Sequence, residues 1–256
     1  MPTIAPIPAF TDNYIWCLHN QHDAIAVDPG DAAPLQDYLR SHDLTLRALL
    51  ITHHHPDHIG GIAELARDWP GLLIYGPDNP SIAGITKTLR EGDTLDALGL
   101  HFTVLEVPGH TLDHIAFVAA EQSPPLLFCG DTLFAAGCGR LFEGSPAQMF
   151  ASLQKLTGFP TDTRVFCTHE YTLSNLKFAH AVEPENAETT QRLAAVTAQR
   201  AAQQITLPSN LALELATNPF LRSDQPSVRR AALTREPEVR SAVEIFAAIR
   251  RWKDQF

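Results

Sequence analysis

The sequence predicts an α+β chain in which strands packed inside helical layers give way, near residue 170, to an all-helical C-terminal region. Three observations carry that reading. Short apolar runs rich in branched and aromatic residues alternate with amphipathic stretches as far as Cys167. From about Ser174 the composition turns to Ala, Gln, Arg and Glu, and no convincing strand appears. A chain of 256 residues, 45% of them hydrophobic, suffices for one large core and a smaller satellite. The expected boundary separates residues 1–172 from 173–256, and about 80 residues is within the range of a small domain.

Taken in order, Asn13–His19 and Ala24–Val27 read as strands, the second closed by the turn Asp28-Pro29-Gly30-Asp31. Ala33–Ser41 reads as a helix with Leu35 and Leu39 on one face. Ala48–Ile51 is a short buried strand that delivers the chain into a run of histidines. A helix over Ile59–Trp69 comes next and stops at Pro70-Gly71. Strands are expected at Leu72–Tyr75, Leu100–Val107, Ile115–Val118, Leu126–Cys129 and Arg164–Cys167, with a helix over Pro146–Leu156. In the C-terminal region Ser174 is the expected cap of a helix over Asn175–Val182. Glu185–Gln204, Leu211–Ala216, Ser227–Thr234 and Val239–Lys253 are further helices, with proline at several junctions.

A formal net charge of −10 opposes a nucleic-acid partner, which selects for a basic face. No segment approaches the roughly 18 apolar residues that span a bilayer. The opening MPTIAPIPAFTDNYIW has neither a basic start nor a long apolar run. Cys17, Cys129, Cys138 and Cys167 lie far apart without a CxxC pair, as reduced, buried thiols do. The expectation is a cytoplasmic monomer that binds neither nucleic acid nor membrane.

The twelve histidines are unevenly placed: His53, His54 and His55 are consecutive and His58 is close behind. The run Thr52–His58 contains HxHxDH, and imidazole and carboxylate together suit zinc, iron or manganese. In an extended segment alternate residues share a side, so His53 and His55 face one ion while His54 points elsewhere. Asp57 and His58, beyond the Pro56 turn, reach a second. His110 in PGHT, Asp131 in CGDT and His169 in CTHE each come directly after a predicted strand, and ligands from strand ends converge on one sheet edge. A lone histidine in such a turn is usually a surface residue; three candidates beside HxHxDH are not explained that way. Asp28 either hydrogen-bonds a ligand histidine or caps its own turn, and both readings stay open. His114 reads as structural, and Cys138 as a packing residue or an outer neighbour of the ligands.

This ordered set, spread over about residues 1–170, resembles the metallo-β-lactamase superfamily. The resemblance implies an αββα sandwich, one metal ion held by His53, His55 and His110, a second by Asp57, His58 and His169, and Asp131 bridging both. Five segments narrow it to the glyoxalase II family: THHHPDHIGG, GCGRLFEG (Gly137–Gly144), THEYTLSNLKFA (Thr168–Ala179), NPFLR (Asn218–Arg222) and KDQF (Lys253–Phe256). They reach nearly the whole chain. The activity this resemblance implies is hydrolysis of S-(2-hydroxyacyl)glutathione thioesters, chiefly S-D-lactoylglutathione to glutathione and D-lactate. It implies two divalent ions, zinc ahead of iron or manganese, with a bridging hydroxide held by Asp57 and Asp131. It also implies that 173–256 is a helical substrate-binding domain, and that Arg140, Phe142, Tyr171, Arg250 and Lys253 meet the glutathione thioester. Two positions depart from the family pattern. Phe142 stands where tyrosine is common in eukaryotic relatives, forfeiting a hydrogen bond worth about 0.5–1.5 kcal/mol, and Arg140 replaces a common lysine.

The chemistry agrees with the resemblance. Divalent ions lower the pKa of bound water from about 15.7 towards 7, so hydroxide forms at neutral pH without a separate base. With two aspartates and a hydroxide the cluster keeps a charge of about +1, which suits a carbonyl oxygen becoming negative. A thiol of pKa about 8.5 departs as thiolate, whereas an amide nitrogen needs an acid that no residue near the motif supplies. Another thioesterase or lactonase on the same scaffold, and a single-iron persulfide dioxygenase, are the competing readings. The acidic charge opposes a nuclease, and a complete ligand set opposes a non-catalytic module.

Overall fold

The computed structural model describes residues 2–256. The chain divides into two compact units: residues up to Glu106 with Asp113–Gly130, and Val107–Leu112 with Asp131–Phe256. In the first, β1 (Thr3–Ala9), β2 (Asn13–His19) and β3 (Asp23–Val27) form an antiparallel run. It continues in parallel through β4 (Thr45–Leu50), β5 (Leu73–Pro77) and β6 (Lys87–Leu89). Between β3 and β4 runs helix α1 (Ala32–Ser41), whose N-terminus Asp31 caps through the amide of Ala33. Leu35 and Leu39 of α1 pack with Ala26 and Leu49 of the sheet, with Ile51 just past β4 and with Leu65 of α3 (Ile62–Asp68) in one apolar core. The short α2 (Pro56–Ile59) lies between β4 and α3. A second, antiparallel set has the order β10-β9-β8-β7, formed by β7 (Thr94–Ala97), β8 (Leu100–Glu106), β9 (Ile115–Ala119) and β10 (Leu126–Gly130). Strands β9 and β10 are buried at every position, so they read as continuous apolar runs.

The second unit holds the two-stranded hairpin β11 (Leu133–Phe134) and β12 (Gly137–Cys138), then α4 (Pro146–Leu156) with a Ser145/Gln148 capping box. After β13 (Arg164–Cys167) come α5 (Thr172–Val182), α6 (Ala187–Ala201), β14 (Ser209–Asn210), α7 (Leu211–Thr217), α8 (Pro226–Arg235) and α9 (Ala242–Asp254). All four cysteines are buried, and none is in a disulfide. Burial pushes the Cys17 and Cys167 thiols up to about 12 and Cys138 to about 11. Among the described residues no helix is long and apolar enough to cross a membrane.

Several expectations are corrected. Strand β1 is absent from the sequence reading because Pro6 and Pro8 interrupt it; it lies at the sheet edge, where a missing N–H is tolerated. The expected helix Ile59–Trp69 is two pieces, α2 and α3, broken at Gly60-Gly61. Those glycines are pressed onto backbone: a β-carbon at Gly60 would sit 2.5 Å from the Gly30 carbonyl oxygen, and one at Gly61 equally close to that of Pro29. Ser174 does not cap α5, which starts at Thr172 with Tyr171 before it. Helix α9 begins at Ala242 rather than Val239, because Ser241 and Glu244 form a capping box there. A short strand, β14, stands in the region read as wholly helical.

Candidate metal centre

In the first unit β4 ends beside β3, and the chain then passes without regular structure through Thr52–His54 to His55, whose extended backbone leads into α2. Asp28 and Thr52 are tied by two hydrogen bonds, from the Thr52 amide and hydroxyl to the two carboxylate oxygens, both 2.8 Å. The same Oδ2 lies 3.0 Å from His58 Nδ1. The Asp28 carboxylate therefore orients a candidate ligand, while its own turn is closed by backbone, the Gly30 amide donating to Asp28 O at 2.9 Å. A proton on His58 Nδ1 donates to Asp28 and leaves the Nε2 lone pair for a cation. His53 is fixed in the same sense, its Nδ1 3.0 Å from the Thr52 hydroxyl that already donates to Asp28.

Two nitrogen or oxygen donors bound tetrahedrally at about 2.0–2.1 Å lie roughly 3.3–3.4 Å apart. His53 Nε2 and His55 Nδ1 are 3.2 Å apart, and His58 Nε2 and Asp57 Oδ2 are 3.7 Å apart. Both spacings fit neighbours in one coordination shell. His54 turns away, its Nδ1 2.9 Å from Asp113, which also accepts from Asn79. His114 is buried with its ring stacked on His53 at 4.6 Å between centroids, a packing role. The Asp57 backbone is seated on Gly30, where an added β-carbon would stand 1.8 Å from the Asp57 carbonyl oxygen. Sequence reasoning missed Asn13, whose Nδ2 donates to Asp57 Oδ2 at 2.9 Å. The available signal was a buried amide opening the apolar run NYIW.

In the second unit Asp131 Oδ2 lies 3.4 Å from His110 Nε2 and 3.3 Å from His169 Nε2, with all three side chains buried. One carboxylate oxygen thus faces two imidazole nitrogens at donor–donor spacing. His110 Nδ1 lies 2.8 Å from the Arg140 carbonyl oxygen, an acceptor that puts the proton on Nδ1 and frees Nε2. Its turn is pinned by the Ser152 hydroxyl donating to Pro108 O and by the Leu112 amide donating to Glu143. Gly139 is required here, since a β-carbon would stand 2.1 Å from Asp131 O and 3.0 Å from His110 Nδ1. The His169 ring stacks on Tyr171 with centroids 4.7 Å apart and planes 2° from parallel, and Phe134 meets both edge-on.

A cationic group lies in the same unit. Arg250 is 4% exposed; it donates to Cys138 O and to Asp254, both at 2.9 Å. Arg140 Nε is 3.9 Å from the same carboxylate. Burial first, then the charges of Arg250 and Arg140, hold the Lys253 ammonium below the usual lysine value of 10.5. Phe142 and Tyr171 are exposed, and the Phe142 ring meets His110 edge-on at 5.3 Å. Of the five residues expected at the substrate, Arg250 is thus the most committed to protein partners.

Residues 13–169 match the family model described as the metallo-beta-lactamase superfamily, and residues 170–256 match that of the hydroxyacylglutathione hydrolase C-terminus. A hydroxyacylglutathione hydrolase of Albidiferax ferrireducens is 53% identical, covering 99% of both chains. One of Photobacterium profundum is 50% identical over the full length of both. The chain belongs to the hydroxyacylglutathione hydrolase family. Its fold is accordingly the α+β metallo-β-lactamase sandwich with the family's helical C-terminal region, and the hydrolase is a thioester hydrolase whose His/Asp donors suit divalent metal ions. Among solved structures, TTHA1623 in a di-iron-bound form aligns with a TM-score of 0.59 at 26% identity, covering 85% of this hydrolase and all of that chain.

Proposed function

We propose that this hydrolase cleaves S-(2-hydroxyacyl)glutathione thioesters, chiefly S-D-lactoylglutathione, to glutathione and the hydroxy acid, using two divalent ions. In this reading His53, His55 and His110 hold one ion, Asp57, His58 and His169 the other, and Asp131 is shared. The observation that carries it is the single Asp131 oxygen set 3.3–3.4 Å from two histidine nitrogens assigned to different ions. The di-iron-bound form of TTHA1623 supports the count. Zinc is the first choice of metal, with iron and manganese as alternatives compatible with nitrogen and oxygen donors.

When bound, the ions acidify water and polarise the thioester carbonyl. The chain's residues do the rest. Asp28 and the Arg140 carbonyl fix the histidine tautomers, and Asn13 holds one Asp57 oxygen so that the carboxylate cannot swing. Arg140, Arg250 and Lys253 offer positive charge to the glutathione carboxylates, Arg250 also donating to the Cys138 carbonyl. Tyr171 and Phe142 supply exposed aromatic surface next to His169 and His110. The thiolate of glutathione is a good enough leaving group to depart without a protonating residue. On the same reading residues 173–256 act as the substrate-binding domain, and the hydrolase works as a monomer in the cytoplasm, a setting that suits four cysteines outside any disulfide.

The test is to load the purified protein with zinc, count ions per chain, and track loss of the S-D-lactoylglutathione thioester. About two ions and turnover are expected. A metal-loaded, folded protein that leaves this thioester intact overturns the proposal.

A further inference from the structure

Glu214 lies on α7 and is fully buried, yet none of the sequence motifs includes it. Its Oε1 accepts from Arg192 Nη2 at 2.7 Å and from the Ser209 hydroxyl. Its Oε2 accepts from the Ala136 amide at 2.7 Å and from Asn218 Nδ2 at 3.1 Å. Asn218 Nδ2 also faces two hairpin carbonyls, Gly137 O at 2.9 Å and Phe134 O at 3.2 Å. Asn175 donates to Ala135 O at 3.0 Å. Buried side chains thus claim the backbone groups at the β11–β12 turn. Ala136 needs that support, because its φ of 55° puts a non-glycine residue in the left-handed region.

The hairpin joins the two functional groups of the second unit. Asp131 enters it and Arg140 leaves it. The Gly139 amide donates to Thr132 O at 3.2 Å across its base, and Gly139 is packed against Asp131 O and His110. Arg140 O receives His110, and Cys138 O receives Arg250. A change in how the two short strands pair would therefore displace the Asp131–His110 pair and the cationic group together.

We propose that Glu214 and Asn218 are positioning residues that clamp the β11–β12 hairpin, holding both the metal-facing geometry of Asp131 and His110 and the anion-facing geometry of Arg140. The link to metal and substrate rests on the function proposed above; the clamp itself does not.

Asn218→Ala removes the contacts to Phe134 O and Gly137 O but leaves the Arg192–Glu214 ion pair, and Glu214→Gln places amide hydrogens against donors. Val228→Ala in α8 serves as a control for stability loss away from the hairpin. Amide hydrogen exchange of the metal-free proteins reads the clamp directly. Residues 131–140 are expected to exchange faster in Asn218→Ala and Glu214→Gln than in the natural sequence or the control. Zinc competition against a chromophoric chelator, well below each melting temperature, should then show about 10- to 100-fold weaker binding in the two variants, the range for partners of metal ligands. KM for the glutathione thioester should rise as well. If Glu214→Gln does not fold, Asn218→Ala decides. Unchanged hairpin exchange in Asn218→Ala overturns the clamp. Faster hairpin exchange with natural zinc affinity and KM overturns its positioning role and leaves the hydrolase reading standing.

Discussion

The two units hold their candidate ligands by different means. In the first, one stretch of six residues carries His53, His55, Asp57 and His58, and its supports, Asp28, Gly30 and Thr52, all flank the ends of neighbouring strands. In the second, His110, Asp131 and His169 come from three separate turns, and groups far away in sequence hold the Pro108 carbonyl, the Ala136 amide and the Glu170 carboxylate near them. A contiguous ligand run takes its geometry from local backbone conformation. A dispersed set depends on buried polar networks, in which each unmet hydrogen bond costs about 1–3 kcal/mol. The second arrangement is therefore more exposed to damage from distant substitutions.

Breaking the dispersed set at its shared member should have the largest effect. Asp131→Ala is expected to abolish measurable turnover and lower zinc stoichiometry, a loss beyond the roughly 100-fold seen for outer partners of metal ligands. Metal analysis with kcat/KM checks it, and full zinc occupancy would contradict the sharing. Next comes the local set: Asp28→Ala frees His58 Nδ1 and Thr52 at once, and zinc affinity should fall about 10- to 100-fold. A chelator titration that finds no change would make Asp28 a turn residue only.

The cationic group sharpens the comparison from the substrate side. Arg140→Ala with Lys253→Ala should raise KM for the glutathione thioester about tenfold or more, at about 1.5–3 kcal/mol per charged hydrogen bond. KM for a small neutral thioester should stay put. Because burial and the charges of Arg250 and Arg140 lower the Lys253 pKa, its charge is lost on the alkaline side before an ordinary lysine's would be. KM should therefore climb as pH rises below 10.5, and that arm should vanish in Lys253→Ala. The smallest effect is expected from Phe142→Tyr, a gain of up to about 0.5–1.5 kcal/mol in substrate binding. An unchanged KM would show that this exposed position does not reach the substrate.

Legibility in the sequence obeyed the same division. HxHxDH announces itself because its four donors are adjacent, and Asp131 and His169 were visible because each comes just after an apolar strand. Most strands and helices declared themselves by period and composition. Strand β1 did not, since its prolines mimic a loop and only its edge position explains them. The Gly60-Gly61 break was hidden because its cause, the backbone of Pro29 and Gly30, is about 30 residues away. Glu214 left no local trace, and Asn218 stood out only as the first residue of NPFLR with nothing to mark its role, for their hairpin partners lie 78 to 84 positions upstream.

The four buried cysteines have a chemical consequence of their own. With Cys17, Cys138 and Cys167 held near 11 to 12, almost none of each exists as thiolate at neutral pH, and thiolate is the form that attacks electrophiles. The folded protein should resist alkylating reagents and reactive carbonyl compounds despite its four sulfhydryl groups.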